Sequence, residues 1–227
     1  MISLVLSVVF FTRERSAMAD AMIERERAKS ERIEREAALA NLRALQAQIE
    51  PHFLFNTLAN VQHLVETDPA SASRMLDSLI RYLRAALPHM READSSLGRE
   101  VDMARAFLEI HRVRMGSRLD FAIDVPQDLL CRPFPPMMLI SLVENAIRHG
   151  VDPCCECGSI TIRAGEAGGR LRVCVTDTGE GVKPKQGGGV GLSNIRERLK
   201  ALYGPSARLV IEERAPHGVV ASIEVPA

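Results

Sequence analysis

The sequence predicts an α+β chain: a long helical hairpin that pairs into a dimeric four-helix bundle, followed by an α/β sandwich. Two observations predict it. Between residues 39 and 87 apolar residues recur at steps of three and four, the period of a helix with one buried face. From residue 97 onward the pattern reads helix, strand, helix, strands, helix, strands, an order that suits helices laid over one face of a mixed sheet. The length, 227 residues, accommodates a helical element plus one ordinary domain.

The first 11 residues are apolar and run into Arg13 and Arg15. A membrane-spanning helix takes about 20 residues, and positive charge after an apolar run suits its cytoplasmic end rather than a signal peptide. Residues 1–13 therefore read as the last part of a membrane helix, with an interfacial or disordered tail as the alternative.

Residues 14–90 read as coiled coil and hairpin. Charge dominates up to Glu36, with Glu31 and Arg35 one helical turn apart. Leu39, Leu42, Leu45 and Ile49 then make a coiled-coil-like seam. Pro51 falls inside this helix, where a proline removes one backbone donor and pushes away the carbonyl four residues back, here that of Ala47. His52 sits beside that distortion, with Asn56 on the same face one turn later. Leu58, Val61 and Val65 continue the apolar stripe. Asp68 is placed as the N-cap and Pro69 in the first turn of a second helix, which carries Met75, Leu76, Leu79, Ile80, Leu83 and Leu87 and ends at Pro88. Two amphipathic helices cannot bury both stripes alone, so two copies of the chain are expected to associate.

Residues 97–227 read as the sandwich, after a polar linker. A helix is predicted over 97–115, with Val101, Ala104, Phe107, Leu108 and His111 on one side, and a strand over 119–125. Pro135 and Pro136 are expected to open a helix that runs to Gly150. Strands are predicted around 160–162, 171–175, 209–211 and 219–225, and a helix over 192–202 closed by Gly204 and Pro205.

Lys and Arg balance Asp and Glu, 29 against 29, so no basic surface speaks for nucleic acid. Tryptophan is absent and only two tyrosines are present, which removes the means of stacking on bases. Five cysteines, an odd number, read as free thiols of a reducing compartment. Cys131 and Cys174 fall in apolar segments and are expected to be core residues. Cys154, Cys155 and Cys157, with His149 nearby, are either loop thiols or an atypically spaced zinc site.

No Gly-x-x-x-x-Gly-Lys-Ser/Thr occurs, so a P-loop does not supply phosphate binding. On the helix ending at Gly150, Glu144 and Arg148 lie one turn apart with Asn145 between them. An amide oxygen suits Mg²⁺ and a guanidinium suits phosphate, whereas an asparagine in an apolar helix also serves simply to cap a neighbouring loop. Asp177 follows an apolar strand and precedes Gly179 and Gly181; its carboxylate can accept from an adenine amino group, although Asp-x-Gly-x-Gly is equally a turn after a strand. Gly189, Gly191 and Leu192 belong to a glycine run leading into a helix N-terminus, which favours an anion and otherwise reads as a flexible linker.

Pro51-His52-Phe53-Leu54-Phe55-Asn56, the stretch Leu142-Val143-Glu144-Asn145-Ala146-Ile147-Arg148-His149-Gly150, and Asp177-Thr178-Gly179-Glu180-Gly181 occur in this order. Together they resemble the LytS-type sensor histidine kinases, from about residue 42 to the C-terminus. The resemblance implies an ATP-binding domain of the histidine kinase/Hsp90 (GHKL) type and autophosphorylation of His52 from ATP. It implies that Asn145 holds Mg²⁺, that Arg148 and His149 lie by the phosphates, and that Asp177, Gly179 and Gly181 bind adenine. Gly189, Gly191 and Leu192 would close over the phosphates. From their own positions, Asn56 on the face of His52 and Glu144 on the nucleotide-domain helix are the candidates to assist catalysis. The resemblance further implies a homodimer, membrane helices upstream, and a response-regulator partner, often one with a LytTR-type DNA-binding domain. The chain departs from the family at Thr178, where asparagine is commonest, and Phe53 stands where many histidine kinases carry an acid. Two other functions fit parts of the sequence: a serine kinase of the anti-sigma type, which lacks the Pro-His-Phe-Leu-Phe-Asn helix, and a scaffold with a degenerate nucleotide domain, against which the intact boxes weigh.

Overall fold

The computed structural model describes residues 51–89, 95–153, 157–181 and 190–226. The expected membrane-helix end, the charged helix, the seam up to Ile49, the bend at Ala47, most of the linker after the second helix, Cys154, Cys155 and Gly189 lie outside these residues. Residues Asn56–Ala227 make one compact unit, and the described residues before Asn56 belong to another.

Helix α1 is described over Pro51–Thr67 and α2 over Pro69–His89. Asp68 between them caps α2 as expected: the Ser71 N–H donates to its Oδ1 at 3.1 Å and the Ser71 hydroxyl donates to Oδ2. These bonds hold the Asp68 carboxyl below its usual range, the side-chain bond from Ser71 being the largest cause. The structure pairs α2 with helix α3, Leu97–Met115, a pairing the sequence reading did not include. The two run antiparallel, burying Met75, Leu79, Tyr82 and Ala86 of α2 against α3, with the Tyr82 and Phe107 rings 5.9 Å apart. Leu76 and Ile80, on the other stripe of α2, stay exposed, as do Leu58 and Val65 of α1.

The start of α3 is fully capped. Ser96 accepts from Arg99 N–H, and the Leu97 and Gly98 N–H groups donate to the carbonyls of Arg132 and Leu130. That loop also decides the fate of Cys131, which is exposed rather than in the core: Leu129 turns inward while Cys131 lies in the turn beyond it.

Five strands form one sheet, β1 Leu119–Asp124, β2 Gly158–Ala167, β3 Arg170–Asp177, β4 Arg208–Glu213 and β5 Val219–Pro226, in the order β1-β2-β3-β5-β4. Only β1 and β2 are parallel; the other neighbours are antiparallel. On β3, Leu171, Val173, Val175 and Asp177 are buried and alternate with more open residues, the period of a sheet with one covered face. Helices α4, Met138–Asn145, and α5, Val190–Tyr203, pack with each other and against this sheet. The α+β class and the mixed sheet are those the sequence predicts.

Candidate active site

The site is built at the end of α4. The helix was expected to open at Pro135 and Pro136; it opens at Met138 instead, because Met137 takes a left-handed φ of 64° that no continuous helix permits. The exposed N-terminal N–H groups are met from α3. The buried Glu100 carboxylate accepts from Met137 N–H at 2.8 Å and Leu139 N–H at 3.1 Å. Burial pushes the Glu100 carboxyl up to about 7, against the pull of these N–H groups and of the Arg198 guanidinium. The other end of α4 is also a correction: Ala146–Val151 is a π-helical turn, closed by Asp152 N–H donating to Ile147 O at 2.8 Å. Such turns widen a helix by one residue and are frequent at functional sites. Arg114 of α3 reaches Asp152 at 2.9 Å, so α3 touches both ends of this segment.

Glu144 and Asn145, on the last α-helical turn, are half-buried, whereas Arg148 and His149, on the π turn, are exposed. Gly150 ends up buried against the neck of β3. A Cβ there would stand 2.7 Å from Asp177 Oδ1. Asp177 is buried, and its Oδ1 accepts the Gly179 N–H at 2.9 Å. Burial raises the Asp177 carboxyl above the usual carboxylate range, while the N–H groups of Gly179 and Val219 and the charge of Arg214 pull it down. Gly179 itself presses on the π turn: a Cβ would lie 2.1 Å from Gly150 O. From the other side, Gly218 at φ +112° backs onto the Asp177 carbonyl, where a Cβ would come within 2.1 Å. Gly181 adopts a positive φ of 80° beside Gly218. The result is a backbone cradle of closely packed glycines around one buried carboxylate.

The structure thus brings together the segments of Asn145, Asp177, Gly179 and Gly181 named from sequence, and adds Gly150, Gly218 and Glu100. Thr178 is half-buried and accepts Ser159 N–H at 2.9 Å, so the departure from asparagine pins the start of β2. Gly191 is exposed and Leu192 half-buried at the start of α5. His52 and Asn56 lie one turn apart on α1, both exposed. Among the described residues no group of three His, Cys, Asp or Glu is placed to hold a metal ion, and Cys157 is exposed with a free thiol.

Comparison with known proteins shows the family. Residues 40–119 match the histidine kinase family model, and residues 135–227 match the model described as histidine kinase-, DNA gyrase B-, and HSP90-like ATPase. The chain belongs to the histidine kinases of the LytS type. It is 34% identical over 186 residues to the sensor histidine kinase YpdA of Escherichia coli, covering 78% of this chain and 33% of that protein. It is 34% identical over 191 residues to the sensor histidine kinase YesM of Bacillus subtilis, covering 82% and 33%. To the sensor protein LytS of Bacillus anthracis it is 32% identical over 203 residues, covering 82% and 34%. The chain therefore spans about one third of the length of these relatives. Among solved structures, the histidine kinase domain of the Erythrobacter litoralis EL346 blue-light activated histidine kinase aligns with a TM-score of 0.49 at 18% identity, covering 82% of this chain and 91% of that chain. The histidine kinase model runs through α1, α2 and α3, the last of which the sequence analysis assigned to the sandwich. No described helix is long and apolar enough to cross a membrane.

Proposed function

We propose that this chain is the phosphoacceptor and ATP-binding part of a sensor histidine kinase, which phosphorylates His52 from ATP and passes the phosphoryl group to an aspartate of a response regulator. The observation that carries the proposal is the lock between Gly150 and Asp177, which joins the Asn145 helix to a buried carboxylate inside a glycine cradle. Asp177 accepts the adenine amino group, and Gly179 and Gly181 admit the base. Arg148 and His149 are exposed on the π turn, and a cation there offsets phosphate charge; Gly189, Gly191 and Leu192 lead into the N-terminus of α5, which favours an anion. Asn145 is the residue that would hold Mg²⁺, through its amide oxygen, and the ion would supply charge to offset the phosphates.

In the transfer, a ring nitrogen of neutral His52 forms a bond to the γ-phosphorus as the bond to the bridging oxygen breaks, and ADP leaves. The imidazole loses its remaining N–H proton to a base; Glu144 is the candidate acceptor in this chain. The exposed Leu58, Val65, Leu76 and Ile80 support association of two copies, since apolar residues clustered on one pair of helices mark an interaction face. A LytTR-type regulator as partner, an anchor formed by residues 1–13, and a position at the cytoplasmic face of the membrane complete the proposal.

Incubation with γ-labelled ATP and Mg²⁺ tests it. Label stable to alkali and lost in acid is expected on the parent and absent from His52→Gln, which should still bind nucleotide; Asp177→Ala should lose nucleotide binding. Acid-labile label on His52→Gln would reject the phosphoacceptor assignment.

A further inference from the structure

Glu100 is a charged side chain with no accessible surface, on a helix that supplies none of the residues assigned to nucleotide. Its carboxylate sits in the first turn of α3 and accepts two N–H groups at the first turn of α4. Two helix N-termini thus converge on one anion, each favouring negative charge through its dipole. Both N–H groups would otherwise be orphans, since a helix leaves its first donors unbonded, and α4 has no capping side chain of its own.

From this geometry we propose that Glu100 is a positioning residue of the nucleotide site: its ionised carboxylate fixes the start of α4 and thereby sets where Glu144 and Asn145 stand at its end. The inference rests on the reading of α4 and Asp177 as the nucleotide site. Helix α4 is eight residues long, so a shift at its first turn is carried to its last. Charge matters because an anion accepts both N–H groups strongly, whereas a protonated carboxyl or an amide offers a donor where an acceptor is needed. The groups facing Glu100 are the N–H groups of Met137, Met138 and Leu139 from the α4 side and the Arg198 guanidinium of α5. With burial holding the carboxyl near 7, the strap tightens as pH rises through neutrality.

The test compares Kd for Mg·ADP, which is not turned over, between the full-length parent and Glu100→Gln at pH 6 and pH 8. Titration of the nucleotide is common to both proteins and cancels in the ratio. The ratio of variant to parent Kd is expected to grow between pH 6 and pH 8 by about threefold to tenfold, the equivalent of losing one helix N-cap. A ratio that does not change with pH overturns the inference. Should Glu100→Gln fail to fold, Arg198→Gln, altered only at an exposed residue, replaces it. Removing that cation raises the carboxyl further, so the pH at which the affinity improves should move upward; an unmoved midpoint overturns the inference. A parent that binds Mg·ADP with the predicted dependence on Asp177 but shows a constant ratio sinks this inference alone. A parent that does not bind Mg·ADP sinks the nucleotide reading and this inference with it.

Discussion

Gly179 is packed so closely on Gly150 that a Cβ on the former would lie 2.1 Å from the carbonyl oxygen of the latter. The obstacle is backbone, on a π turn that also carries Arg148 and His149, so it cannot swing away as a flexible side chain would. Gly179→Ala is expected to cost about 1–3 kcal/mol, the usual range for overpacking, and to abolish nucleotide binding. Gly150→Ala meets a carboxylate instead, 2.7 Å from Asp177 Oδ1; it should lower the melting temperature less while still weakening nucleotide binding at least about tenfold, because the displaced group is the one proposed to accept from adenine. Thermal melts and calorimetric titration with Mg·ADP check both. Equal losses of stability in the two variants would contradict the difference between a backbone and a side-chain obstacle.

Helix α3 holds two buried titratable groups with opposite slopes in pH. The Glu100 carboxyl is raised from 4.5 to about 7, chiefly by burial. A raised folded-state value contributes stability that is complete below the unfolded value and is lost as pH climbs from about 4.5 through 7. Burial, with a smaller contribution from Arg114, lowers the His111 imidazole from 6.5 to about 3. That contribution is present above 6.5 and is lost as pH falls toward 3. Each amounts to a few kcal/mol, at about 1.4 kcal/mol per pH unit. Denaturant unfolding from pH 3 to 8 should therefore show a maximum in the mildly acidic range. Glu100→Gln should flatten the alkaline limb and His111→Gln the acid limb, each leaving the other in place.

How much of this was legible in the sequence depends on the range of the interaction. The predicted helix over 97–115 coincides with α3 because its boundaries are local: a serine cap, an apolar stripe and a glycine stop. The strands were placed correctly, but β2, β3 and β4 were drawn short, since residues at their ends such as Glu166, opposite Leu171, and Arg170, opposite Ala167, are polar and carry no apolar signal. The break at Met137 was invisible, because a methionine at positive φ has no local signature and is sustained by Glu100, 37 residues away in sequence. Gly218 was not singled out, because its pressure on Asp177 comes from the strand order β3-β5-β4. The antiparallel α2–α3 pair was missed for a related reason: α2 carries two apolar stripes, and periodicity does not say which neighbour covers which.

The uncovered stripe leads to a prediction about assembly. Phe55, Leu58 and Val65 of α1 and Leu76 and Ile80 of α2 are all exposed, Phe55 and Val65 by more than half. Burying such side chains is worth about 1.5–3 kcal/mol each, enough for a few of them to hold a dimer at micromolar concentration. Sedimentation or light scattering should give a dimer for the parent and a monomer for Leu58→Glu combined with Leu76→Glu, while Mg·ADP binding survives because neither residue belongs to the cradle. A variant that remains dimeric would place the interface elsewhere.

The last prediction concerns the division of labour between His52 and Asn56. In phosphoryl transfer the protein does little covalent chemistry, so positioning and charge dominate. The imidazole must attack through one ring nitrogen while the other is oriented or deprotonated. Phe53 follows His52 directly and has no polar atom to do this, and Glu50 is two residues back, a spacing that puts it on a different face of a helix. Asn56 is one turn on and shares the exposed face of His52. Its amide can orient the imidazole, or hold the water that attacks a phosphorylated regulator, and it reaches neither adenine nor the cradle around Asp177 in any role assigned above. Asn56→Ala should therefore leave the Kd for Mg·ADP within about twofold, lower autophosphorylation, and lower dephosphorylation of the regulator by a larger factor, about tenfold or more for one lost positioning group. The measurements are nucleotide titration, incorporation of acid-labile label, and loss of label from a phosphorylated regulator. A selective fall in nucleotide affinity, with both phosphoryl activities declining in proportion, would show that Asn56 acts through the nucleotide site and would overturn this division.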